Sequence, residues 1–488
     1  MSQQSEIIGK VWNLADVLRD DGVSYGDYLE QITYLLFLKM AHEKGLDTIP
    51  TKYDWNSLKD KSGAELLTHY IELLKAFSQA EGMLGQIFTK SQNKIQQPGN
   101  LASVIKAIDG YEWGLLGSDV TGDIYEGLLA KNAEDTKSGA GQYFTPRALI
   151  DAMVLCVRPT PMRTIVDPSC GTGGFFLSAY KFLLEEHKDM DREAKKFLKE
   201  STFFGNEIVA NTRRLCLMNM FLHNIGKIEK EPNISSADAL TTAGSTRYDY
   251  VLANPPFGKK SSKTEYDDDG KKKIVAATYN RNDFWVQDTS NKQLNFLQHI
   301  RTLLKINGEA AVVLPDNVLF EGGAGETVRK ELLKATELHT ILRLPTGIFY
   351  AQGVKANVLF FDNKPAAKEA WTKAIWIYDY RTNISHTLKQ RPMRLEDLQD
   401  FINCYNPTNR HKRKETWSEE NPDGRWRKYH YKDIVARDKT NLDIFWLKDN
   451  SLIDLENLPE PDVLAGEIIE NIEAGLNSFK EILEEVGE

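Results

Sequence analysis

The spacing of apolar residues divides the chain into a helical first part and a second part of mixed pattern. In residues 1–138, apolar positions recur every three or four residues, for example within 29–40 and 66–77. This spacing predicts amphipathic helices. A polar stretch at 90–100 indicates a loop between two of them. The glycine-rich segment SGAGQ, residues 138–142, then marks the change of pattern.

Short apolar runs alternate with helical stretches in the second part of the chain. Helical patterns such as 175–184 and 294–305 separate several of these runs. The alternation predicts an α/β fold with a parallel sheet and helices on both faces. The last two runs lie close together, so we expect an antiparallel hairpin at one edge. The predicted strands are 164–168, 202–207, 248–256, 308–315, 339–345, 356–361 and 374–380.

The composition is that of an ordinary globular protein, with 41% hydrophobic and 27% charged residues. It excludes a mostly disordered chain, a collagen-like fibre and a disulfide-rich scaffold. No apolar run approaches the ~18 residues that span a bilayer, and the first residues show no secretory signal. The four cysteines are widely spaced and form no CxxC pair. We therefore expect reduced thiols, a cytoplasmic location, no membrane contact and no metal site.

Acidic residues are concentrated at the end of the chain. The net charge is −9, but residues 441–488 alone contain 13 acidic and 2 basic side chains. The preceding part is therefore close to neutral and can still present a basic surface to nucleic acid. Two polar segments are candidates: 258–283, which is rich in lysine, and 381–440, with 14 basic and 9 acidic side chains. Each is either a solvated loop or a phosphate-contacting surface with aromatic neighbours.

A glycine-rich turn, DPSCGTGGF, follows the predicted strand 164–168 and precedes a predicted helix. Gly171 and Gly173 let the backbone turn sharply and approach a ligand closely, although a simple packing turn is the alternative. Glu207 ends the next predicted strand, and an acid at that place suits the ribose hydroxyls of a nucleoside ligand. The sequence has no GxxxxGK[ST] loop, which disfavours a P-loop nucleotide hydrolase.

The motif NPPF lies at the end of the predicted strand 248–256. Two prolines cannot continue a central strand, so the chain must turn out at the carboxyl edge of the sheet, where ligands of open α/β sheets bind. The Asn254 amide oxygen and the Pro255 carbonyl are two acceptors for one NH₂ group. Phe257 offers a stacking surface for a planar ring. A plain turn is the alternative for this motif alone.

Together, DPSCGTGGF and NPPF resemble motifs I and IV of amino-group DNA methyltransferases. GQYFTPR, at 141–147, resembles the cofactor-binding motif that precedes motif I in the γ order. The whole chain resembles the modification subunit of type I restriction–modification systems, in which a helical N-terminal domain, QYFTPR, FFGNE, LPTGIF and an acidic helical tail occur together. Cys170 stands where motif I more often has alanine or glycine, and we expect this change to be neutral because cysteine is small.

This resemblance implies a Rossmann-like methyltransferase sheet with S-adenosylmethionine as methyl donor and the N6 of a flipped adenine in duplex DNA as acceptor. It implies a helical N-terminal domain at 1–138, a catalytic domain at 139–445 and an acidic helical tail for subunit docking at 446–488. The catalytic residues that it assigns are Asn254, Pro255, Pro256 and Phe257. The cofactor-binding residues that it assigns are Gln142, Tyr143, Phe144, Thr145, Pro146, Arg147, Asp167, Gly171, Thr172, Gly173, Gly174, Glu207 and Asp238.

The resemblance also implies a role for each cofactor-binding group. Residues 142–147 and 172–174 would hold the methionine end of the cofactor, with Asp167 near its amino group. Glu207 would bind the ribose hydroxyls, and Asp238 would approach the adenine of the cofactor. The NPPF acceptors would favour a pyramidal target NH₂ and stabilise the cation that forms during direct transfer. The target adenine would have to leave the duplex to reach them.

The family places DNA recognition in a separate specificity subunit, and translocation and cleavage in a restriction subunit. We therefore expect this chain to act with both, beside a second copy of itself. The alternative is a self-sufficient adenine-N6 methyltransferase whose own C-terminal region reads DNA. A protein-glutamine methyltransferase is disfavoured by the chain length and QYFTPR. An inactive cofactor-binding assembly subunit is disfavoured by the intact NPPF.

The acidic tail contains a heptad-like series of apolar residues, which we call the tail seam. Its flanks are rich in glutamate, so DNA would repel them, and an isolated helix of this length is marginal in water. A helix packed on its own domain is the alternative to a helix docked on a protein partner, for which the resemblance suggests helical segments of the specificity subunit. The tail seam is Ala465, Ile469, Ile472, Leu476, Phe479, Leu483 and Val486.

Overall fold

The computed structural model describes most of the chain, in two compact units that are each assembled from several stretches. The first unit comprises Met1–Ala140, Cys170–Leu177 and Asp189–Ala237, and the second comprises Gly141–Ser169, Ser178–Lys188 and Asp238–Glu488. None of the helices within the described part is long and apolar enough to cross a membrane. The described residues are 3–19, 22–113, 124–129, 145–258, 262–266, 272–349, 354–388, 391–449, 465, 468, 469, 472 and 476.

Helices and strands alternate after the first 145 residues, as the sequence pattern predicts. The helices are α1 (Gln3–Arg19), α2 (Tyr25–Glu43), α3 (Trp55–Lys59), α4 (Gly63–Ser78), α5 (Gly82–Phe88), α6 (Pro98–Asp109), α7 (Arg147–Val157), α8 (Gly174–Glu186), α9 (Arg192–Glu200), α10 (Ala210–Leu222), α11 (Lys292–Leu303), α12 (Asn317–Phe320), α13 (Ala324–Ala335), α14 (Gln399–Tyr405) and α15 (Tyr431–Val435). The strands are β1 (Ile165–Asp167), β2 (Phe203–Asn206), β3 (Ile234–Ser235), β4 (Tyr248–Ala253), β5 (Ser262–Tyr266), β6 (Lys272–Ala276), β7 (Leu304–Pro315), β8 (Thr336–Arg343), β9 (Ala356–Asn363), β10 (Ala374–Asp379) and β11 (Trp426–His430).

The first unit is mainly helical, and its helices begin where the sequence provides caps. Ser24 caps α2 because its hydroxyl oxygen accepts a hydrogen bond from the Asp27 N–H at 3.1 Å. α6 begins at Pro98, whose missing N–H is tolerated in a first turn. α4 buries one face, which includes Leu66, Leu74 and Phe77 of the predicted apolar stripe, whereas Ile71 of that stripe is 49% exposed. The buried residues of α4 are Leu66, His69, Tyr70, Leu73, Leu74 and Phe77.

Within the first unit, α10 is bonded both to the N-terminal helical region and to the glycine-rich turn. The buried Arg214 donates to the carbonyls of Ile87 at 2.8 Å and Thr89 at 2.6 Å. One turn further along, the Asn219 amide donates to the Thr172 carbonyl at 3.1 Å. The short strands β2 and β3, which precede and follow α10 in the chain, pair in parallel with each other. α10 therefore gives the turn a support that is itself held by buried hydrogen bonds.

In the second unit, seven of the described strands form a mixed sheet in the order β11-β10-β8-β9-β7-β4-β1. Strands β1, β4, β7, β8 and β10 run in one direction, and β9 and β11 run in the other. The five co-directional strands therefore end at the same edge of the sheet, which we call the carboxyl edge. The residues that end them are Asp167, Ala253, Pro315, Arg343 and Asp379.

All seven predicted strands are present, and the sheet is mainly parallel as predicted, but the predicted place of its antiparallel part is wrong. The antiparallel strand β9 lies inside the sheet, between β7 and β8. The expected hairpin between the last two predicted strands does not form, because β10 pairs with β8 and β11 instead of β9. Every residue of β9 is buried, so its apolar pattern fits a central strand of either direction.

Candidate functional site

The NPPF motif leaves the sheet at the carboxyl edge, as predicted. β4 ends at Ala253, one residue before the motif begins. Asn254 is half-buried and Pro255 is buried. Because β4 pairs in parallel with both β1 and β7, its end lies inside the sheet and not at its border. A side chain at this place is held by neighbouring strands, which suits a site that needs fixed geometry.

The Asn254 side chain has one end bonded and one end without a partner. Its amide nitrogen donates to the Thr145 hydroxyl oxygen at 2.8 Å. Its amide oxygen is buried and has no hydrogen-bond partner among the described residues. A buried acceptor that lacks a donor costs about 1–3 kcal/mol. A substrate that brought an NH group to this oxygen would remove that cost.

Phe257, the last residue of NPPF, contacts a second aromatic ring. Its ring centroid lies 5.6 Å from that of Phe349, and the two planes meet at 76°. Phe349 is buried and belongs to the LPTGIF segment, which follows β8 at the carboxyl edge. Such an edge-to-face pair fixes the orientation of the half-buried Phe257 ring. This pair offers a planar ligand a rigid aromatic surface, and Phe257 is close to Asn254 in the sequence.

The glycine-rich turn in the first unit depends on two glycines in left-handed conformations. Gly171 has φ +54° and Gly173 has φ +84°, which other residues adopt only with strain. A Cβ atom at Gly173 would lie 3.0 Å from the Cys216 sulfur, whereas one at Gly171 would meet nothing within 4 Å. Gly173 is therefore needed for close packing on α10. Gly171 is the position at which the turn leaves room for a ligand.

Glu207 faces the glycine-rich turn within the first unit. Its two carboxylate oxygens accept hydrogen bonds from the N–H groups of Gly171 at 3.1 Å and Val209 at 2.8 Å. A carboxylate has about four acceptor positions, so hydroxyl groups of a ligand can still be bound. Burial raises the pKa of Glu207 above its usual value. The next residue, Ile208, is 65% exposed and gives an apolar surface beside this carboxylate.

Asp167 and Asp238 lie in the second unit, and each has its own hydrogen bonds. Asp167 is buried and accepts from the backbone N–H of Ser169 at 2.9 Å. Asp238 accepts from the Leu240 N–H at 3.0 Å and from the Tyr279 hydroxyl at 2.9 Å. The Asp238 carboxylate is thus fixed next to an aromatic ring and a small apolar cluster, which suits a planar heterocycle.

Three of the predicted cofactor residues, Gln142, Tyr143 and Phe144, lie outside the described residues. The described part of that motif starts at Thr145, which contacts Asn254 as given above. Pro146 precedes α7, and Arg147 begins it. The Thr172 carbonyl accepts the hydrogen bond from the Asn219 amide, and Gly174 begins α8. Pro256 is half-buried between Pro255 and Phe257 in the chain.

The two polar segments, 258–283 and 381–440, have different structures. In 258–283, the described backbone forms the antiparallel hairpin of β5 and β6, which the sequence analysis missed. In 381–440, several arginines bond inside the protein. Examples are Arg381 with Asp316 at 3.2 Å and Arg425 with the Asp379 carbonyl at 2.8 Å. Both arginines hold this segment on the sheet, and the charge of Arg381 is paired with the Asp316 carboxylate.

Three side chains of metal-ligand type meet toward the amino-terminal ends of the co-directional strands. They are Glu309, His339 and Asp362, whose ligand atoms lie within 4.8 Å of one another. Arg410 donates to Asp362 at 2.8 and 3.1 Å and also bonds the His339 ring. Its guanidinium supplies the positive charge that the buried Asp362 and the half-buried Glu309 require. The group is therefore a structural ion-pair cluster, on the side of the sheet away from Asn254.

Comparison with known proteins identifies the family. Residues 116–444 match the N-6 DNA methylase family, and residues 7–108 match the HsdM N-terminal domain. The chain belongs to the N-6 DNA methylase family. Its fold class and its nature as an adenine-specific DNA methyltransferase are thereby confirmed, and the resemblance to the type I modification subunit is confirmed by the relatives below.

The relatives that match this N-6 DNA methylase over nearly its full length are type I methylase subunits. It is 40% identical to the type I restriction enzyme StySPI methylase subunit of Salmonella potsdam, with 99% of this chain and 96% of that protein covered. It is 39% identical to the EcoKI methylase subunit of Escherichia coli (strain K12), with the same coverage. The crystal structure of the EcoKI M protein matches with TM-score 0.54 and 34% identity over 99% of this chain and 96% of that one.

A second solved structure shows the fold alone. It belongs to work on the complex assembly and conformational transition of the type I restriction–modification system. It matches with TM-score 0.72 and 24% identity over 100% of this chain and 99% of that one. Because the match covers the whole of this N-6 DNA methylase, its mixed sheet and its helical N-terminal region each have a counterpart in that fold.

Three residues of this N-6 DNA methylase were not singled out from the sequence. Phe349 stands in LPTGIF directly after a strand that ends at the carboxyl edge, and that position was a usable signal. Ile208 follows the acidic residue of FFGNE, and its place directly after a strand-end carboxylate was the only sequence signal for it. Tyr279 has no local signal, because only the fold brings it to Asp238.

Glutamine in place of Glu207 is expected to weaken S-adenosylmethionine binding about 10- to 100-fold at pH 8. Hydrogen bonds to a charged group are worth about 1.5–3 kcal/mol, and glutamine lacks the charge. Because burial raises the pKa of Glu207, wild-type affinity should fall on acidification at a higher pH than an ordinary glutamate would give, and Glu207→Gln should lose this dependence. Calorimetry across pH measures both effects.

The matched control is Glu193→Gln, which changes an exposed glutamate in the first turn of α9. It should leave both the affinity and its pH dependence as in the wild type. Equal affinities of wild type and Glu207→Gln at pH 8 would contradict the assignment of Glu207 to the ribose hydroxyls.

Proposed function

We propose that the chain transfers a methyl group from S-adenosylmethionine to the N6 of adenine in duplex DNA, as the modification subunit of a type I restriction–modification complex. The observation that carries this proposal is the buried Asn254 amide oxygen without a partner, held by Thr145 at the carboxyl edge. An exocyclic NH₂ group is the donor that such an acceptor lacks. The family membership supports adenine as the base that brings it.

Asn254 and Pro255 would act on the target nitrogen before and during transfer. The adenine NH₂ is a poor nucleophile because its lone pair is delocalised into the ring. Two acceptors on its two hydrogens favour a pyramidal nitrogen and aim the lone pair away from both acceptors. Their partial negative charges then stabilise the positive charge that develops on the nitrogen. Both acceptors belong to a turn anchored in a central strand, so little reorganisation is needed.

The cofactor, when bound, supplies an electrophilic methyl group on a sulfonium, and the predicted cofactor residues are assigned to it. In the first unit, Gly171 leaves room beside the turn, Glu207 accepts from ribose hydroxyls and Ile208 covers an apolar face. In the second unit, Asp167 and Asp238 provide fixed carboxylates. The remaining residues of the proposed set are Gln142, Tyr143, Phe144, Thr145, Pro146, Arg147, Thr172, Gly173 and Gly174.

The target adenine would be flipped out of the duplex and received by Phe257. Stacking on an aromatic side chain is worth about 1–3 kcal/mol per base, which offsets part of the cost of unpairing. The contact with Phe349 keeps the Phe257 ring in place. Flipping therefore delivers the NH₂ group to an aromatic wall that is already in place, close in the chain to the acceptors of Asn254 and Pro255.

Sequence recognition is assigned to a specificity subunit, and cleavage to a restriction subunit. The proposed division of the chain is a helical domain at 1–138, the catalytic domain at 139–445 and a docking tail at 446–488. Arginines of 381–440 that bond internally are consistent with recognition lying elsewhere. A second copy of the chain would serve the other strand of the target site.

The deciding experiment measures N6-methyladenine in sequence context. Purified chain is incubated with S-adenosylmethionine and genomic DNA alone, with the specificity subunit, or with both other subunits, and the DNA is read by single-molecule sequencing. Methylation at one defined motif only when the specificity subunit is present supports the proposal. Motif-specific methylation by the chain alone supports the self-sufficient alternative. Absence of N6-methyladenine in every reaction overturns the proposed activity.

A further inference from the structure

One hydrogen bond joins the motif proposed for the cofactor to the motif proposed for the target base. It runs from the Asn254 amide nitrogen to the Thr145 hydroxyl oxygen, at 2.8 Å. Thr145 is the first described residue of QYFTPR and is separated from α7 by Pro146, and Asn254 begins NPPF just after β4. The two residues are 109 positions apart in the chain, so only the fold brings them together.

The orientation of the Asn254 amide decides whether it can serve the target base. With the nitrogen on Thr145, the oxygen is presented as an acceptor. Rotation by 180° would present the NH₂ end instead, and two donors would then face each other. A threonine hydroxyl both donates and accepts, so by itself it can hold either orientation of the amide.

The Thr145 hydroxyl proton decides between these two orientations. Among the described residues, Thr145 makes only the bond in which its oxygen accepts from Asn254. If the hydroxyl proton is donated to another acceptor, the oxygen can only accept from the amide, and the NH₂ end of Asn254 must face it. A carboxylate is the strongest acceptor for such a proton.

We propose that Thr145 is a positioning residue that orients Asn254, and that its hydroxyl proton is donated to a carboxylate of the bound cofactor, so that cofactor binding locks the amide oxygen toward the target base. This inference rests on the proposed function. Consecutive hydrogen bonds polarise one another, so the lock also strengthens the acceptor at Asn254. The cofactor then acts on base recognition as well as on transfer.

The test measures preference for the target NH₂ group without any turnover. The complex with the specificity subunit is titrated with duplexes that carry adenine or purine, which lacks the 6-amino group, at the target position. Titrations are made with and without S-adenosylhomocysteine, which is unreactive and keeps the carboxylate. Purine pairs less tightly with thymine and is flipped more easily, so each preference is the adenine-to-purine affinity ratio divided by the same ratio for Asn254→Ala. One hydrogen bond corresponds to about a tenfold preference, which we expect for wild type with S-adenosylhomocysteine, and we expect a clearly smaller one without it.

The variants test whether Thr145 acts by orienting the Asn254 amide or only by stabilising the fold. Thr145→Val keeps the shape but removes the hydroxyl, and it should lose the adenine preference and about tenfold or more in kcat. Thr145→Ser should restore both. Thr160→Val, at an exposed threonine bonded to Tyr250, is the matched control and should behave as wild type. In an Asn254→Ala background, Thr145→Val should cause no further loss of preference.

Each outcome decides a part of the inference. Wild-type kcat and adenine preference in Thr145→Val overturn the positioning role while the proposed function stands. A full preference without S-adenosylhomocysteine overturns the cofactor-dependent lock. An equal loss in Thr145→Ser, with unchanged thermal melting, overturns the role of the hydroxyl. A wild-type complex that does not methylate adenine overturns both the inference and the proposed function.

Discussion

Alanine in place of Asn254 is expected to slow methyl transfer about a hundredfold or more while S-adenosylmethionine still binds. Removing one preorganised group near a developing charge costs about 2.7–4 kcal/mol, which corresponds to a factor of 10²–10³. The Asn254 oxygen is buried, so water cannot easily replace it at the same place. Single-turnover transfer in the complex with the specificity subunit measures the chemical step, and calorimetry measures cofactor affinity.

Three further variants make the Asn254 result specific. Asn56→Ala removes the same amide from the exposed face of α3 and should change neither quantity. Phe257→Ala removes the stacking wall, worth about 1–3 kcal/mol, so it should weaken DNA binding with a smaller loss in the transfer step. Phe257→Tyr keeps the ring and should retain much activity. Near-normal transfer by Asn254→Ala would refute the acceptor mechanism.

The fold could be predicted from the sequence where strands are apolar and bounded by turn residues. All seven runs of that kind became strands. Strand direction could not be predicted, because β9 is buried along its whole length and an all-apolar run suits either direction. The hairpin of β5 and β6 was missed because it lies in a lysine-rich segment without apolar alternation. The edge strand β11 was missed for the same reason, since WRKYH is mostly polar.

The candidate site could be predicted where the backbone itself demands special residues. The turn needs left-handed conformations at Gly171 and Gly173, and the strand end is enforced by the two prolines of NPPF, so both motifs stand out in sequence. The bond between Thr145 and Asn254 could not be predicted, because it depends on the packing of α7 against the sheet. The different duties of Gly171 and Gly173 also needed the structure, since only the position of Cys216 distinguishes them.

The acidic tail, residues 446–488, is the part of the chain for which we predict a protein partner. The described tail residues are helical, and three large apolar seam residues among them are more than half exposed: Ile469 at 57%, Ile472 at 64% and Leu476 at 52%. The seam residues Phe479, Leu483 and Val486 lie outside the described residues. Exposed isoleucines that recur along one side of a helix favour a protein partner over solvent.

Deletion of residues 460–488 is expected to leave a folded, cofactor-binding chain that no longer co-purifies with the specificity subunit and no longer methylates DNA. The helix would dock on helical segments of that subunit, and without this anchor the catalytic domain is not held over the target base. Ile472→Asp, within the seam, should reproduce the loss, because burying a charge in an apolar interface is costly. Ile468→Asp, beside the seam, is the matched control and should lose less. Stable assembly and normal methylation by the deleted chain would show that the tail is not the docking element.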